Sequence, residues 1–365
     1  MPQIIEKTSI YEKAKNYNGK LCQEKCSSGL CNNILIEELV EYWLIDIKNI
    51  MRPSSYAKYK NYAKKYIIPY IGYIQADMFN AAMLSEMLGS LYTDNGGKEE
   101  PLSQYTVYLL ESMVRSMFRY GAEKKLVPEV LFGRAEFAHM DKKEAMPLSE
   151  IEMQQLLYIT EKQGEDFQIQ VCLPLYTGIT LSELCGLKWE DISLETGEIN
   201  IHRNLIRIQH DISENGRDSI EAATIMAEAE LPENMCRKFA MPEKLCRLLK
   251  RTAYAKKPLA GNYVAELIKK AGRKKGVYIP ADAPDSRTLQ YRLKAVGKKA
   301  GIKDLTFKML RDTFVVLCLQ AGGDVYSIAY VTGTGITALC DRYRHWMVRN
   351  DGFLKRIGQR DWTDI

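Results

Sequence analysis

Apolar positions recur at three- and four-residue spacing through the first third of the chain. In LIEELVEYWLIDI (35–47) that period marks one face of a helix. RPSSYAKYKNYAKKYIIPYIG (52–72) opens on Pro53 with two serines and closes at Pro69 and Gly72, the punctuation of a second helix. MFNAAMLSEMLGSLY (78–92) and SQYTVYLLESMVRSMFRYGAEKK (103–125) predict two more, separated by Asn95-Gly96-Gly97. Four helices in succession with short breaks predict a compact bundle. The period then lapses. GRAEFAHMDKKEA (133–145) carries no sustained apolar pattern and reads as a linker.

A second pattern begins at Pro147-Leu148-Ser149, where Ser149 and Glu152 stand at capping-box spacing. Two helical stretches follow. GEINIHRNLIRIQ (197–209) then alternates apolar and polar residues after a Thr196-Gly197 turn, which predicts a strand, and RKFAMP (237–242) is its expected partner. The stretch between the two reads as a long insertion, and helical patterns return afterwards. The expected fold class is therefore mainly α: a helical N-terminal domain, then an α+β domain with a small antiparallel sheet. The boundaries fall into a polar arm over 1–33, helices over 34–132, a linker over 133–146, the second domain over 147–350 and a tail over 351–365.

Charge sharpens this picture. The net value of +5 is modest, but its distribution is polarised. Residues 244–308 hold 18 lysines and arginines, Arg287 among them, against 4 acidic residues, whereas 209–235 hold 7 acidic residues against Arg217 alone. One basic face meeting an anionic polymer is the functional reading; lysine-rich helices solvated by water are the plain one. The second helix adds Lys58, Lys60, Lys64 and Lys65 interleaved with Tyr56, Tyr59, Tyr62 and Tyr66. Lysine neutralises phosphate and tyrosine adds hydrogen bonds, although helical spacing sends about half of those tyrosines into the core.

Other classes fall away. No stretch reaches the roughly 18 apolar residues of a membrane helix, and the N-terminus lacks the apolar run of a signal peptide, so a cytoplasmic protein is expected. Nine cysteines are odd in number, and Cys172, Cys185 and Cys318 lie within apolar helical patterns, which predicts reduced thiols. Cys22, Cys26 and Cys31 give three soft ligands without a clear fourth, and read as a polar arm with free thiols in preference to a zinc site.

Three segments, LPLYTGITLSELCGLKWEDI (173–192), LTFKMLRDTFVVLCLQAGGDVYSIAYVTG (305–333) and ITALCDRYRHW (336–346), together resemble the catalytic domain of the tyrosine recombinase (phage integrase) family. LPLYTGITLSELCGLKWEDI (173–192) is similar to the family's Thr-Gly turn followed by a helix with Ser-Glu and Gly-Leu, matched by Ser182, Glu183, Gly186, Leu187, Trp189 and Asp191. LTFKMLRDTFVVLCLQAGGDVYSIAYVTG (305–333) resembles the stretch with the His-x-x-Arg and Leu-Gly-His boxes. ITALCDRYRHW (336–346) resembles the helix that bears the nucleophilic tyrosine, here Tyr343. The helices before Val127 look like the family's core DNA-binding domain, so the resemblance covers roughly residues 34–350.

The resemblance implies a chemistry. A tyrosine hydroxyl attacks the scissile phosphate and forms a phosphotyrosyl link that conserves the bond energy. Two arginines stabilise the non-bridging oxygens, and a lysine and histidines move protons. No metal or cofactor is required. Against that list Tyr343 and Arg311 are present, and Lys308 stands where the family has histidine. The first arginine falls at Thr180, the hairpin lysine near Leu231, and the second histidine at Thr334; no arginine occurs between Arg134 and Arg203, and no lysine between Lys188 and Lys238. Each retained residue also has a plain reading: Tyr343 as a helix-end tyrosine, Arg311 as an ion-pair partner, Lys308 as a solvated lysine.

Three functions stay open on the sequence. The first is a duplex-DNA-binding protein of recombinase type from a mobile element, its strand-exchange chemistry impaired or lost, acting as a multimer with or without an active recombinase. The second is an active site-specific recombinase whose missing groups come from elsewhere, Arg217 among the candidates. The third is a protein-interaction module that uses the acidic segment. What separates the first two is whether another basic group reaches the space beside Tyr343 and Arg311.

Overall fold

The structure is a computed structural model that describes residues 34–51, 53–93, 101–129, 144–210, 223–265, 277–278 and 283–347. The arm with Cys22, Cys26 and Cys31, most of the linker, Arg217 and the tail lie outside them. The chain divides into two units, residues 1–141 and 142–365.

The described part of the first unit is helical. α1 (Ile36–Ile47) buries Ile36, Leu39, Val40 and Trp43 on the face its period predicts, and Glu38 accepts from the Leu35 N–H at 2.8 Å to close its first turn. α2 (Pro53–Tyr62) runs through a wider turn, Ala63–Ile67, into the short α3 (Ile68–Ile71). In that turn the Ile68 N–H reaches back five residues to the Ala63 carbonyl. Pro69 follows directly, and a proline supplies no N–H to a regular helical ladder, so the local widening suits it. α4 (Ala81–Thr93) is capped by Asn80, and α5 (Gln104–Glu123) by Ser103. Leu84, Leu88, Leu110, Met113 and Met117 meet Trp43 and Phe79 in one core.

The second unit is α+β. α6 (Glu150–Glu161) carries the capping box that Ser149 and Glu152 predict, with the Ser149 N–H 2.8 Å from the Glu152 carboxylate. α7 (Glu165–Thr177) is sealed on almost every face, including Phe167, Ile169, Val171, Leu173 and Leu175. α8 (Leu181–Gly186), α9 (Glu243–Lys256), α10 (Ser286–Lys299), α11 (Phe307–Gln320), α12 (Val325–Thr332) and α13 (Ile336–Tyr343) complete the helices. Cys172, Cys185 and Cys246 are buried thiols, and Cys318 is half-buried.

The sheets depart from the single antiparallel sheet expected. The alternating run 197–209 breaks at His202 into β2 (Glu198–Ile201) and β3 (Arg203–His210), which enter different sheets. β2 lies between β1 (Ile192–Ser193) and β5 (Arg237–Ala240), with Ile201 opposite Arg237, so RKFA does return as its partner. β3 instead pairs with β4 (Ala223–Glu230), drawn from inside the acidic segment, and β6 (Val277–Tyr278) joins β4 in parallel. The physical reason is that ATIMAEAE alternates with period two, and its charge is absorbed locally: Glu228 pairs with Lys188 at 2.8 Å and accepts from Tyr263.

Candidate active site

α7 ends at Gly178, whose φ of +67° an L side chain rarely adopts; an added Cβ would lie 2.5 Å from the Phe314 ring on α11. The chain then turns through Ile179 into α8, with Thr180 as N-cap. The Glu183 N–H donates to Thr180 Oγ1 at 3.3 Å, and the Thr180 N–H donates to Glu183 Oε2 at 2.7 Å. Thr180, for which the resemblance implies an arginine, is thus a helix cap. Its short hydroxyl serves the backbone and brings no charge to the site.

Glu183 is 4% exposed and faces Arg237 of β5, whose side chain is 1% exposed. The pair is bidentate, with Nη1 to Oε1 at 2.8 Å and Nη2 to Oε2 at 3.0 Å. Arg237 also donates to the Val331 and Met235 carbonyls, at 2.7 and 3.2 Å. Burial pushes the Glu183 carboxyl upward, but the hydrogen bonds and charge of Arg237, with those of Thr180, hold it below its ordinary range. Gly333 closes α12 at φ +62°, and a Cβ there would lie 2.9 Å from Arg237 Nη1, so the guanidinium packs against bare backbone.

Arg311 lies in the second turn of α11. Its Nη1 donates to the Gly178 carbonyl at 2.6 Å and its Nη2 to the Thr334 hydroxyl. Both acceptors are uncharged, and a guanidinium carries five N–H groups. Burial draws its pKa down, against the charge of Glu183, then Tyr343, which favours the cation. Thr334, for which the resemblance implies a histidine, accepts from Arg311 and supplies no titrating group. Lys308 is exposed one turn before Arg311 on the same helix.

Tyr343 ends α13 with 3% of its surface exposed, and its hydroxyl donates to Asp312 Oδ1 at 2.7 Å. Asp312, also buried, accepts from Arg342 Nε at 3.1 Å and from the Met146 N–H at 3.3 Å. Burial and the adjacent Asp312 charge push the Tyr343 phenol up to about 12. His345 is exposed, 3.2 Å from Glu144.

The structure brings Arg311, Thr334 and the Thr180 turn together, and it holds Tyr343 on Asp312, the residue after Arg311. Leu231 instead joins the apolar core, its N–H on the His202 carbonyl at 2.9 Å, and no cation occupies that position. Arg287 is exposed in the first turn of α10 and takes no part in this network among the described residues. In the first unit Lys60, Lys64 and Lys65 are exposed on the α2 segment. Lys58 is half-buried, its ammonium 5.4 and 5.3 Å from the Tyr62 and Tyr105 rings. Tyr66 is buried, and Tyr59 and Tyr62 pack against the core.

Arg237, Asp312 and Arg342 were not anticipated from the sequence. The available signal was an arginine opening a strand that must face inward, because a buried guanidinium requires a carboxylate. Among the described residues no group of three histidine, cysteine or acidic side chains is placed to hold a metal, and no helix is long and apolar enough to cross a membrane.

Comparison with known proteins adds to this geometry. Residues 147–348 match the phage integrase family, and residues 35–77 match the phage integrase N-terminal SAM-like domain. IntQ of Escherichia coli (strain K12) is 26% identical over 212 residues, 55% of this chain and 52% of IntQ, so the match spans about half of that relative. A XerC-like tyrosine recombinase of Caldanaerobacter subterraneus subsp. tengcongensis is 20% identical over 327 residues, covering 86% of this chain and 80% of its own. Among solved structures, the Tn1549 transposon integrase in complex with a circular intermediate DNA superposes with a TM-score of 0.63 at 16% identity, covering 88% of this chain and 98% of that one. At these identities the structural likeness speaks for the fold.

Proposed function

The chain belongs to the phage integrase, or tyrosine recombinase, family, and from that premise we propose that it binds duplex DNA and that its strand-exchange chemistry is impaired. The first unit supplies phosphate contacts through Lys58, Lys60, Lys64 and Lys65. The second supplies Arg311, with Lys308 and Arg287 as further contacts. Multimers on DNA, with or without an active recombinase, belong to the same proposal. The Tn1549 integrase and lambda integrase relatives of this fold were solved on DNA, the latter as a dimer and as a tetramer.

The observation that carries the impairment is Thr180, an N-cap where the family places a phosphate-stabilising arginine. A threonine cannot replace a charged, bidentate donor. Loss of such an arginine typically costs about 10³ to 10⁵ in rate. The empty lysine position at Leu231 and the threonine at 334 remove proton-transfer groups as well. Tyr343, its proton held by Asp312, is a weak nucleophile in this arrangement.

One observation favours the active reading. Arg237 places a second guanidinium against the Gly333 turn, beside the Arg311–Thr334 contact. Four of its hydrogen bonds already go to Glu183, Val331 and Met235, so it would serve a phosphate only after giving some of these up.

Covalent trapping tests the proposal. The protein is incubated with nicked duplexes spanning DNA beside its own gene, at several salt concentrations, with Tyr343→Phe as control. Salt-sensitive binding without a denaturation-resistant adduct is the expected result. An adduct that vanishes in Tyr343→Phe would establish a working nucleophile and overturn the impairment.

A further inference from the structure

Three arginines surround the candidate site, and two carboxylates stand among them. Arg342 has Asp312 and Arg237 has Glu183, whereas among the described residues Arg311 touches only the Gly178 carbonyl and the Thr334 hydroxyl. Yet Glu183 is the group whose charge most favours the Arg311 cation. It is an acidic residue within electrostatic reach of Arg311 that nonetheless points both oxygens at Arg237.

We propose that Arg237 is a positioning residue for anion capture, which occupies Glu183 and thereby leaves the Arg311 guanidinium to a DNA phosphate. The inference rests on the reading that Arg311 contacts phosphate. Glu183, Arg237 and Arg311 together carry one net positive charge. Arg237 neutralises Glu183 through a buried bidentate pair, and its own charge opposes that of Arg311. The surplus charge therefore resides on Arg311, which among the described residues uses fewer of its five N–H groups than Arg237 does.

Geometry adds a second element. Arg237 ties Glu183, in the first turn of α8, to Val331 in the last turn of α12. Arg311 bridges the same two neighbourhoods one step further on, through Gly178 before α8 and Thr334 after α12. Without Arg237, Glu183 is a buried carboxylate with no neutralising partner, and Arg311 is the cation whose approach relieves it. An arginine paired internally no longer releases counterions when DNA binds.

The test is the salt dependence of binding to duplex DNA, measured on the full chain. Each phosphate contact contributes about 0.9 to the slope of log affinity against log salt. Arg311→Gln should lower the slope by about one contact. Arg237→Gln should lower it by the same amount, although the side-chain partners of Arg237 are internal ones. The double variant Arg237→Gln with Glu183→Gln should return to the parental slope, because no carboxylate remains to capture Arg311. A residue that merely holds the fold together would instead lower the unfolding midpoint of Arg237→Gln and leave the salt slope of its folded fraction parental. If Arg237→Gln does not fold, the uncharged double variant decides alone: a parental slope supports the proposal and a slope lowered by one contact overturns it. A folded Arg237→Gln with the parental slope also overturns it. An Arg311→Gln variant with no change in slope overturns the reading of Arg311 itself, and this inference with it.

Discussion

Arg311 gives two N–H groups to uncharged oxygens and keeps the rest of its guanidinium, whereas Tyr343 gives its one proton to a buried carboxylate. Both residues are ones to which the family resemblance gives chemical roles, and the residue after Arg311 is the Asp312 that holds Tyr343. The surroundings treat them in opposite ways. Uncharged acceptors orient a cation without cancelling its charge, so Arg311 is set to meet an anion. A carboxylate acceptor stabilises a neutral phenol and opposes its ionisation, as it does at Tyr343. Under the proposed function the difference would make phosphate binding and phosphate cleavage separable, and that is what the following substitutions test.

The largest change to that comparison should come from restoring charge at position 180. In Thr180→Arg a guanidinium not committed to Glu183 would enter beside Arg311, at the cost of the α8 cap, about 1 kcal/mol. The expected gain in the rate of adduct formation on nicked duplex is about 10³ or more, the return of a phosphate-stabilising arginine. Gel analysis after denaturation reads it. A restored arginine without any adduct would locate the block at Tyr343 instead.

A smaller effect separates Tyr343 from Asp312. The phenol pKa is raised in the folded chain to about 12, from an ordinary value near 10. A group raised on folding contributes stability that is fully present below its unfolded pKa and is lost as pH rises through the folded one. Stability should therefore fall between pH about 10 and about 12, and Tyr343→Phe should remove that part of the alkaline loss while costing about 1 kcal/mol at neutral pH. Asp312→Asn should bring the phenol titration down toward its ordinary value, measured by ultraviolet difference absorbance. A Tyr343 titration unmoved in Asp312→Asn would mean that burial alone sets it.

Much of this arrangement was legible along the chain, and the rest was hidden for identifiable reasons. Helix periods, the Ser149–Glu152 cap and the positions of Arg311 and Tyr343 are local signals, each contained within a few turns. The partners are not local. Arg237 and Glu183 are 54 residues apart, and Tyr343 and Asp312 are 31 apart. No period or spacing joins them, and only the packing of β5 and α12 against α8, and of α13 against α11, does so. β4 escaped because seven acidic residues over 209–235 obscured an alternation that ATIMAEAE does display. A count of charge says nothing about where each carboxylate finds its cation.

The smallest expected effect concerns the exposed lysines of the first unit, and it asks whether Arg311 acts alone. Lys64 and Lys65 are both exposed, and Lys65 lies 4.9 Å from the Tyr66 ring, a solvent-accessible contact worth little to folding. Lys64→Gln and Lys65→Gln should each change stability by less than about 0.5 kcal/mol, read as an unfolding midpoint with unchanged slope. Each should lower the salt slope of DNA binding by about one contact, and they should add to Arg311→Gln because the sites share no partner. Additive losses would mean that both units grip the duplex at once. A loss with Arg311→Gln and none with either lysine would confine phosphate contact to the second unit, and would leave the lysine-rich helix as a solvated face.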